Sequence, residues 1–220
     1  MKMIMCITLV ISSLPALAAD ELDLSQIQKI VFVGDGSTIE LTTDAARPYR
    51  LVQGKSWSLC GNCRLTQHLE QGVLTLGVDS GQAARWRRCK VTYQANLPAL
   101  GQVEILQDAN SVRAEGQFQR LVMHSTFSDI SFRGTAGELS LQGTTLKADV
   151  RLAGAHPHGK LSVKARVGSV YLSIEPGAEV SYQMQGKLTS YEDGWKNQPD
   201  APLRVEVNAD LLQATLAYHK

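Results

Sequence analysis

The residues best suited to chemistry in this chain are cysteines grouped in one region, residues 57–89. Cys60 and Cys63 are separated by a glycine and an asparagine, and Cys89 follows at the end of the region. Thiols in this pattern could form a structural disulfide, exchange disulfides or, together with His68, bind zinc. The turn-forming residues between the first two cysteines favour a disulfide over a redox motif, and the spacing matches no zinc finger or ribbon. The pairing among the three thiols stays open.

Two histidines form a second candidate site. His156 and His158 flank a proline in a glycine-containing segment, residues 153–159, and could chelate a transition metal, although such a pair is more often a solvated loop. None of the histidines lies in a zinc-protease motif, and the chain has no GxSxG sequence. The sequence therefore predicts no catalytic residues, no resident metal and no cofactor.

A third group combines cations with an aromatic ring: Arg85, Trp86, Arg87, Arg88 and Lys90. Such a cluster could bind an anionic polymer or a lipid headgroup by charge and stacking, or protect a strand edge from pairing. Across the chain, 22 Lys and Arg are balanced by 21 Asp and Glu, for a net charge of +1. Without a basic field, a nucleic acid partner is not expected.

The N-terminus predicts export. Lys2 precedes an apolar stretch, residues 4–14, and Ala16 and Ala18 are the small residues at which a signal peptidase cleaves. Residues 1–18 are therefore expected to be a signal peptide. No later stretch is apolar enough to span a membrane, so the mature chain is expected to be periplasmic or secreted. There, Cys60, Cys63 and Cys89 would meet an oxidising environment.

The remaining chain has the composition of a folded domain. Of 220 residues, 44% are hydrophobic, 6% aromatic and 20% charged, which excludes disorder and allows a sizeable core. Short runs rich in β-branched residues end at Gly, Asp, Asn or Ser, as strands do. The fold class predicted is all-β.

A repeat organises the middle of the chain. Apolar pairs begin every nine residues, each pair flanking one outward residue. The pairs are Val103 and Ile105, Val112 and Ala114, Leu121 and Met123, Ile130 and Phe132, Leu139 and Leu141, and Ala148 and Val150. The expected outward residues are Glu104, Arg113, Val122, Ser131, Ser140 and Asp149. After residues 153–159 the period resumes with Leu161 and Val163.

Constant spacing of this kind favours a β-solenoid over a sandwich, whose loops vary in length. We predict one solenoid domain, residues 19–220, with its clearest repeats over residues 97–186. Two strands per 18-residue coil and three per 27 are both compatible with the spacing. Residues 195–220 are expected to cap one end, since terminal coils need a polar outer surface.

Several motifs within the repeats resemble a known family. Leu97-Pro98-Ala99-Leu100, then 108–112 (Asp-Ala-Asn-Ser-Val), and the later 168–176 (Gly-Ser-Val-Tyr-Leu-Ser-Ile-Glu-Pro) are similar to patterns of the putative auto-transporter adhesin head GIN domain family and related putative adhesins. The resemblance implies a right-handed β-helix-like fold in a bacterial envelope protein. It carries no catalytic signature.

The sequence therefore predicts a non-catalytic envelope protein whose repeated surface contacts another envelope protein or a polysaccharide. The alternative is an extracytoplasmic thiol-disulfide or metal-handling factor that uses Cys60, Cys63 and Cys89. A polysaccharide lyase or hydrolase on a short β-helix is a third hypothesis.

Overall fold

The computed structural model describes residues 21–56, 64–79, 90–154 and 158–218; of residues 55, 56, 90 and 188–193 it describes the backbone. All regular structure in these residues is β-strand, which confirms the all-β prediction. The strands are β1 (Glu21–Asp23), β2 (Lys29–Thr42), β3 (Arg50–Ser56), β4 (Arg64–Glu70), β5 (Val73–Asp79), β6 (Lys90–Asn96), β7 (Gly101–Leu152), β8 (Gly159–Ile174), β9 (Val180–Asp193) and β10 (Leu203–Tyr218).

The strands form one large mixed sheet. Its parallel centre follows the order β2, β7, β8, β10, β9. On the other side of β2, β5 and β6 pair parallel with its first and second halves, and β4 and β3 then pair antiparallel with β5 and β6. The last strand of the chain, β10, therefore lies inside the sheet, and β9 lies at its edge.

β7 is too long to be one straight strand. Arg120 pairs with Glu138 across 2.9 Å, and Ser128 donates a hydrogen bond to Asn110 across 2.8 Å; both contacts join residues 18 apart. A straight strand would separate such residues by about 60 Å. β7 therefore bends back and stacks on itself, and the spacing of these contacts is twice the nine-residue period of the sequence.

The ladders between the long strands are interrupted at single residues. The ladder between β2 and β7 skips Asp35 and Asp108, and the ladders of β8 with β7 and β10 skip Arg166. The paired stretch before such a residue is called a first half and the one after it a second half; β2, β8 and β10 have one of each, and β7 has several. Side chains alternate between inside and outside along both halves.

The predicted core pairs are confirmed. All twelve side chains of the six pairs are buried, as are Leu161 and Val163 after the inserted segment. Of the expected outward residues, Arg113 is exposed and Glu104, Ser131, Ser140 and Asp149 are partly exposed. Val122 was expected on the outer surface, but it is buried, with 3% of its surface exposed.

The two ends of the strand stack are closed differently. At the edge strand β9, the Tyr182 amide donates to the Asn197 side chain across 3.1 Å, and Asn197 Nδ2 donates to the Tyr182 carbonyl across 3.2 Å. Trp195 is buried beside them and donates its indole N–H to the Ala217 carbonyl across 2.6 Å. Within the predicted cap, residues 195–220, the segment around Trp195 and Asn197 thus covers part of an edge, whereas β10 is internal.

At the opposite end, one amide side chain organises the turn between β2 and β3. Asn96 Nδ2 donates to the carbonyls of Asp44, Arg47 and Pro48 across 2.9–3.1 Å. Its Oδ1 accepts from Thr42 Oγ1 and from the Asp44 amide. Asn96 is 8% exposed, and these bonds satisfy the polar groups that its burial takes from water.

Glycines let the chain turn at the end of the second half. Gly116 and Gly134 have φ of 125° and 137°, a region that L side chains rarely adopt. A Cβ atom on Gly134 would lie 1.9 Å from the Gly116 carbonyl oxygen. The Gly134 carbonyl in turn accepts from the Ala153 amide across 2.9 Å, so consecutive turns stack directly.

Replacing Gly134 by alanine tests this stacking. Gly134→Ala should lower the free energy of unfolding by about 3 kcal/mol, because positive φ and overlap with the Gly116 carbonyl add together. Gly168→Ala is the matched control, since a Cβ there would make only ordinary contacts, the nearest at 3.5 Å. Denaturant unfolding of both variants measures the difference. Equal stability of the two would contradict the stacked turn.

Tyr93 places a phenol in the apolar core. Its side chain is fully buried, and its ring centroid lies 5.2 Å from that of Phe32. The hydroxyl has no hydrogen-bond partner among the described residues. Burial raises the pKa of Tyr93 from 10.0 to about 12, because the phenolate would lose its hydration.

Alkaline unfolding should report this buried phenol. The folded-state pKa lies above the unfolded value, so the contribution of Tyr93 to stability is complete below pH 10 and is lost between pH 10 and about 12, by up to about 3 kcal/mol. Tyr93→Phe should remove this part of the loss and leave stability at pH 7 unchanged or higher. Tyr171→Phe, at an exposed phenol, should retain it. Urea titrations at several pH values measure the effect, and identical alkaline profiles for wild type and Tyr93→Phe would refute it.

Candidate binding surfaces

Most of the sequence-predicted site residues fall outside the described part of the chain. Cys60, Cys63 and Cys89 do, as do His156 and residues 85–88 (Arg-Trp-Arg-Arg). The strands that flank these residues in the sequence are described. Ser56 at the end of β3 pairs with Lys90 at the start of β6, and Arg64 at the start of β4 pairs with Asp79 at the end of β5. His158 is described and exposed. Among described residues, no three His, Cys, Asp or Glu side chains cluster as metal ligands would.

The register of the second halves aligns outward side chains in rows across the strands. One row runs from Asp149 on β7 to Tyr171 on β8 and Thr215 on β10. A second row runs from Arg151 to Ser173 and Ala217. A third joins Lys147, Ser169 and Gln213 in the same order.

The β8 and β10 members of these rows form what we call the β8–β10 patch. Its residues are Ser169, Tyr171, Ser173, Gln213, Thr215 and Ala217. None of the six is charged, and Tyr171 is the one aromatic residue among them. Tyr171 is 38% exposed, whereas Ser173 is buried, with 1% of its surface exposed.

A paired acid and base border the patch. Arg151 Nε donates to Asp149 Oδ1 and its terminal nitrogen donates to Oδ2, both across 3.2 Å. The hydrogen bond and the charge of Asp149 raise the pKa of Arg151 above its usual value. Two parallel bonds hold both groups in one plane. Their side chains remain 38% and 41% exposed, so unused acceptor and donor positions face solvent.

The first halves of the same strands carry charges instead. Lys160 on β8 pairs with Glu206 on β10 across 3.0 Å, and Arg204 and Lys164 are exposed on the same surface. The absence of charge in the β8–β10 patch is therefore a property of the second halves, not of β8 and β10 in general.

A separate apolar surface follows the bend between the halves. Its residues Phe127, Val167 and Leu211 are 57%, 42% and 41% exposed, and we call them the corner stripe. Val167 and Leu211 are direct partners in the ladder, and Thr145 is the partner of Val167 on β7. Phe127 precedes Thr145 by one 18-residue repeat. Single exposed apolar residues are ordinary, but an aligned row of them is typical of a contact surface.

Sequence reasoning missed both surfaces. The outward residues assigned from the nine-residue period stop at Asp149, just before the insertion, and Tyr171 is the next member of that row. This position of Tyr171 could have been read from the sequence. The inserted segment lengthens the separation between paired residues of β7 and β8 to 22 residues but leaves the alternation of inward and outward side chains unchanged. The part of the patch on β10 could not be predicted from the repeat, because each of its residues pairs with a β8 residue that lies 44 positions earlier in the chain.

No helix in the described residues is long and apolar enough to cross a membrane. No family model matches the chain, so membership of the GIN domain family stays a prediction. No curated protein matches it either.

Solved structures do match. The chain is similar to a putative cell adhesion protein from Clostridium sporogenes ATCC 15579, with a TM-score of 0.50 and 9% identity; the match covers 91% of this chain and 98% of that one. Putative adhesins from Bacteroides fragilis NCTC 9343 and Parabacteroides distasonis ATCC 8503 match with TM-scores of 0.34 and 0.26, each at 10% identity. These two cover 93% and 92% of this chain, and 98% and 96% of their own. At such identity, the Clostridium likeness concerns the fold alone.

Proposed function

We propose that this chain is a non-catalytic, adhesin-like protein of the bacterial envelope that binds a protein or polysaccharide through the outer surface of its strand stack. The observation that carries the proposal is the fold shared with the putative cell adhesion protein over 91% of the chain. The β8–β10 patch and the corner stripe support it, because both are ordered surfaces with side chains suited to contact. The non-catalytic part rests on the sequence, which contains no catalytic motif.

The proposal includes a solenoid architecture. In it, the coils within β7 have 18 residues, the coils that carry inserted segments are longer, and parallel coils stack from β2 through β7 to β8, β10 and β9. The 18-residue contacts within β7 and the bend repeated at Asp35, Asp108 and Arg166 support this arrangement. The right-handed winding comes from the family resemblance.

The proposal also places the mature protein, residues 19–220, outside the cytoplasm after removal of residues 1–18. Cys60, Cys63 and Cys89 would there be able to form a disulfide, and Arg85, Trp86, Arg87, Arg88 and Lys90 would form a further contact surface. No described residue favours the thiol-disulfide or metal-handling alternative, and we do not propose it.

Export can be measured directly. The full chain, expressed in a bacterium, should appear in the periplasm or medium with an intact mass that begins at Ala19, because the peptidase requires small residues at Ala16 and Ala18. Ala18→Arg should block cleavage and retain the longer mass. Uncleaved wild-type chain in the cytoplasm would contradict export.

Binding to the envelope is tested with intact cells. Fluorescently labelled mature protein should bind cells of the producing bacterium saturably. Pretreating the cells with protease or with glycosidases separates a protein target from a polysaccharide target. Gly168→Ala serves as the folded control, because Gly168 is buried and the added Cβ would meet the inward Leu212. Absence of saturable binding, or turnover of an envelope polysaccharide by the purified protein, would overturn the proposed function.

A further inference from the structure

We infer that the β8–β10 patch binds a neutral saccharide, with one sugar ring lying against Tyr171. The inference rests on the proposed function and specifies its ligand class and its site. It is carried by the distribution of charge, by the exposure of the ring, and by the polar groups around it.

Charge separates this patch from its surroundings. Ion pairs line the outer surface elsewhere: Lys160 with Glu206 on the first halves, and Lys147 with Asp129 on the second half of β7. The six patch residues carry hydroxyl, amide, methyl and phenol groups. The six side chains offer an anionic polymer no charge pairing, and Arg151 beside them is already paired with Asp149. On the other side, the ladder partner of Thr215 is the acidic residue Glu192 of β9. A neutral polyol brings no charge that has to be paired at this site.

The ring of Tyr171 is placed for stacking. Its partner on one side is Thr215, and its neighbours in the adjacent row, Ser173 and Ala217, have short side chains. On its β10 side the ring therefore has only short neighbours, and 38% of Tyr171 is exposed. The negative face of an aromatic ring attracts the polarised C–H bonds on one face of a pyranose, and contact removes apolar area from water.

Hydrogen-bonding groups surround the ring at its edges. Asp149 lies next to Tyr171 in the same row, and its carboxylate is held by Arg151. Ser169 and the Gln213 amide lie exposed on the next row. A sugar hydroxyl both donates and accepts, so it can use a carboxylate, an amide and a hydroxyl at once. The pairing with Arg151 fixes the carboxylate in advance, which lowers the entropic cost of binding.

The corner stripe is a different kind of surface. Phe127, Val167 and Leu211 offer exposed apolar side chains at the bend, which suit contact with a protein. A protein ligand would therefore be expected to depend on Phe127, and a saccharide on Tyr171. Both aromatic residues are exposed, so each serves as the control for the other.

The test uses the mature protein and defined soluble polymers. Dextran, laminarin and galactomannan are the neutral probes, and alginate and polygalacturonate are the acidic ones. Affinity electrophoresis and calorimetry at about 0.05 M and about 0.5 M NaCl should show binding to at least one neutral polymer with the same affinity at both salt concentrations. Tyr171→Ala should weaken that affinity by about tenfold or more, while Tyr171→Phe and Phe127→Ala should retain it. Thermal melting checks that every variant is folded.

The possible failures are distinguishable. If none of the neutral polymers binds, or if Tyr171→Ala leaves the affinity unchanged, the saccharide site is refuted. Binding restricted to alginate or polygalacturonate and suppressed by salt would also refute it. If saccharide binding fails but labelled protein still binds cells and Phe127→Ala abolishes that binding, the proposed function survives with a protein ligand. If neither assay shows binding, both proposals fail.

Discussion

The stacking of β7 on itself at a spacing of 18 residues is the constraint on which the rest of the structure depends. It fixes which side chains point inward, so the inward columns are continuous and apolar. It also brings consecutive turns into direct contact, and this leaves no space for a Cβ atom at Gly134. Outside, the same spacing places Arg120 beside Glu138 and Asp129 beside Lys147, so charges pair along the stack rather than along the chain.

The position of β10 makes the candidate saccharide site a product of the whole C-terminal region. Ser169, Tyr171 and Ser173 come from β8, whereas Gln213, Thr215 and Ala217 come from the last strand of the chain. β9 lies between β8 and β10 in the sequence but at the edge of the sheet, where the Asn197 side chain makes hydrogen bonds with the backbone amide and carbonyl of Tyr182. The patch is therefore complete only after β10 has paired with β8. Seven inward side chains of β10 are almost fully buried, so this pairing also completes the core.

The sequence predicted those features of the structure that depend on a short-range repeat, above all which side chains are buried. The six apolar pairs are buried because period-two alternation and nine-residue spacing are read within a few residues of each position. The internal position of β10 and the bonds of Asn96 to the turn near Asp44 have no such signal, because they join residues far apart in the chain. Val122 illustrates a different limit: it is buried although alternation places it outward, because alternation gives the direction of a side chain and not its burial.

Fold and ligand are encoded at different positions in this architecture. The inward columns and the turns must keep apolar residues and glycines, but the outward rows are free to vary as long as they stay compatible with water. On β8 and β10 the first halves carry Lys160, Arg204 and Glu206, while the second halves carry no charge in the patch, on the same backbone. A protein with 9% identity can therefore share the fold without sharing the outward rows. In the outward rows of this chain, Tyr171 is an exposed aromatic residue that the fold itself does not require.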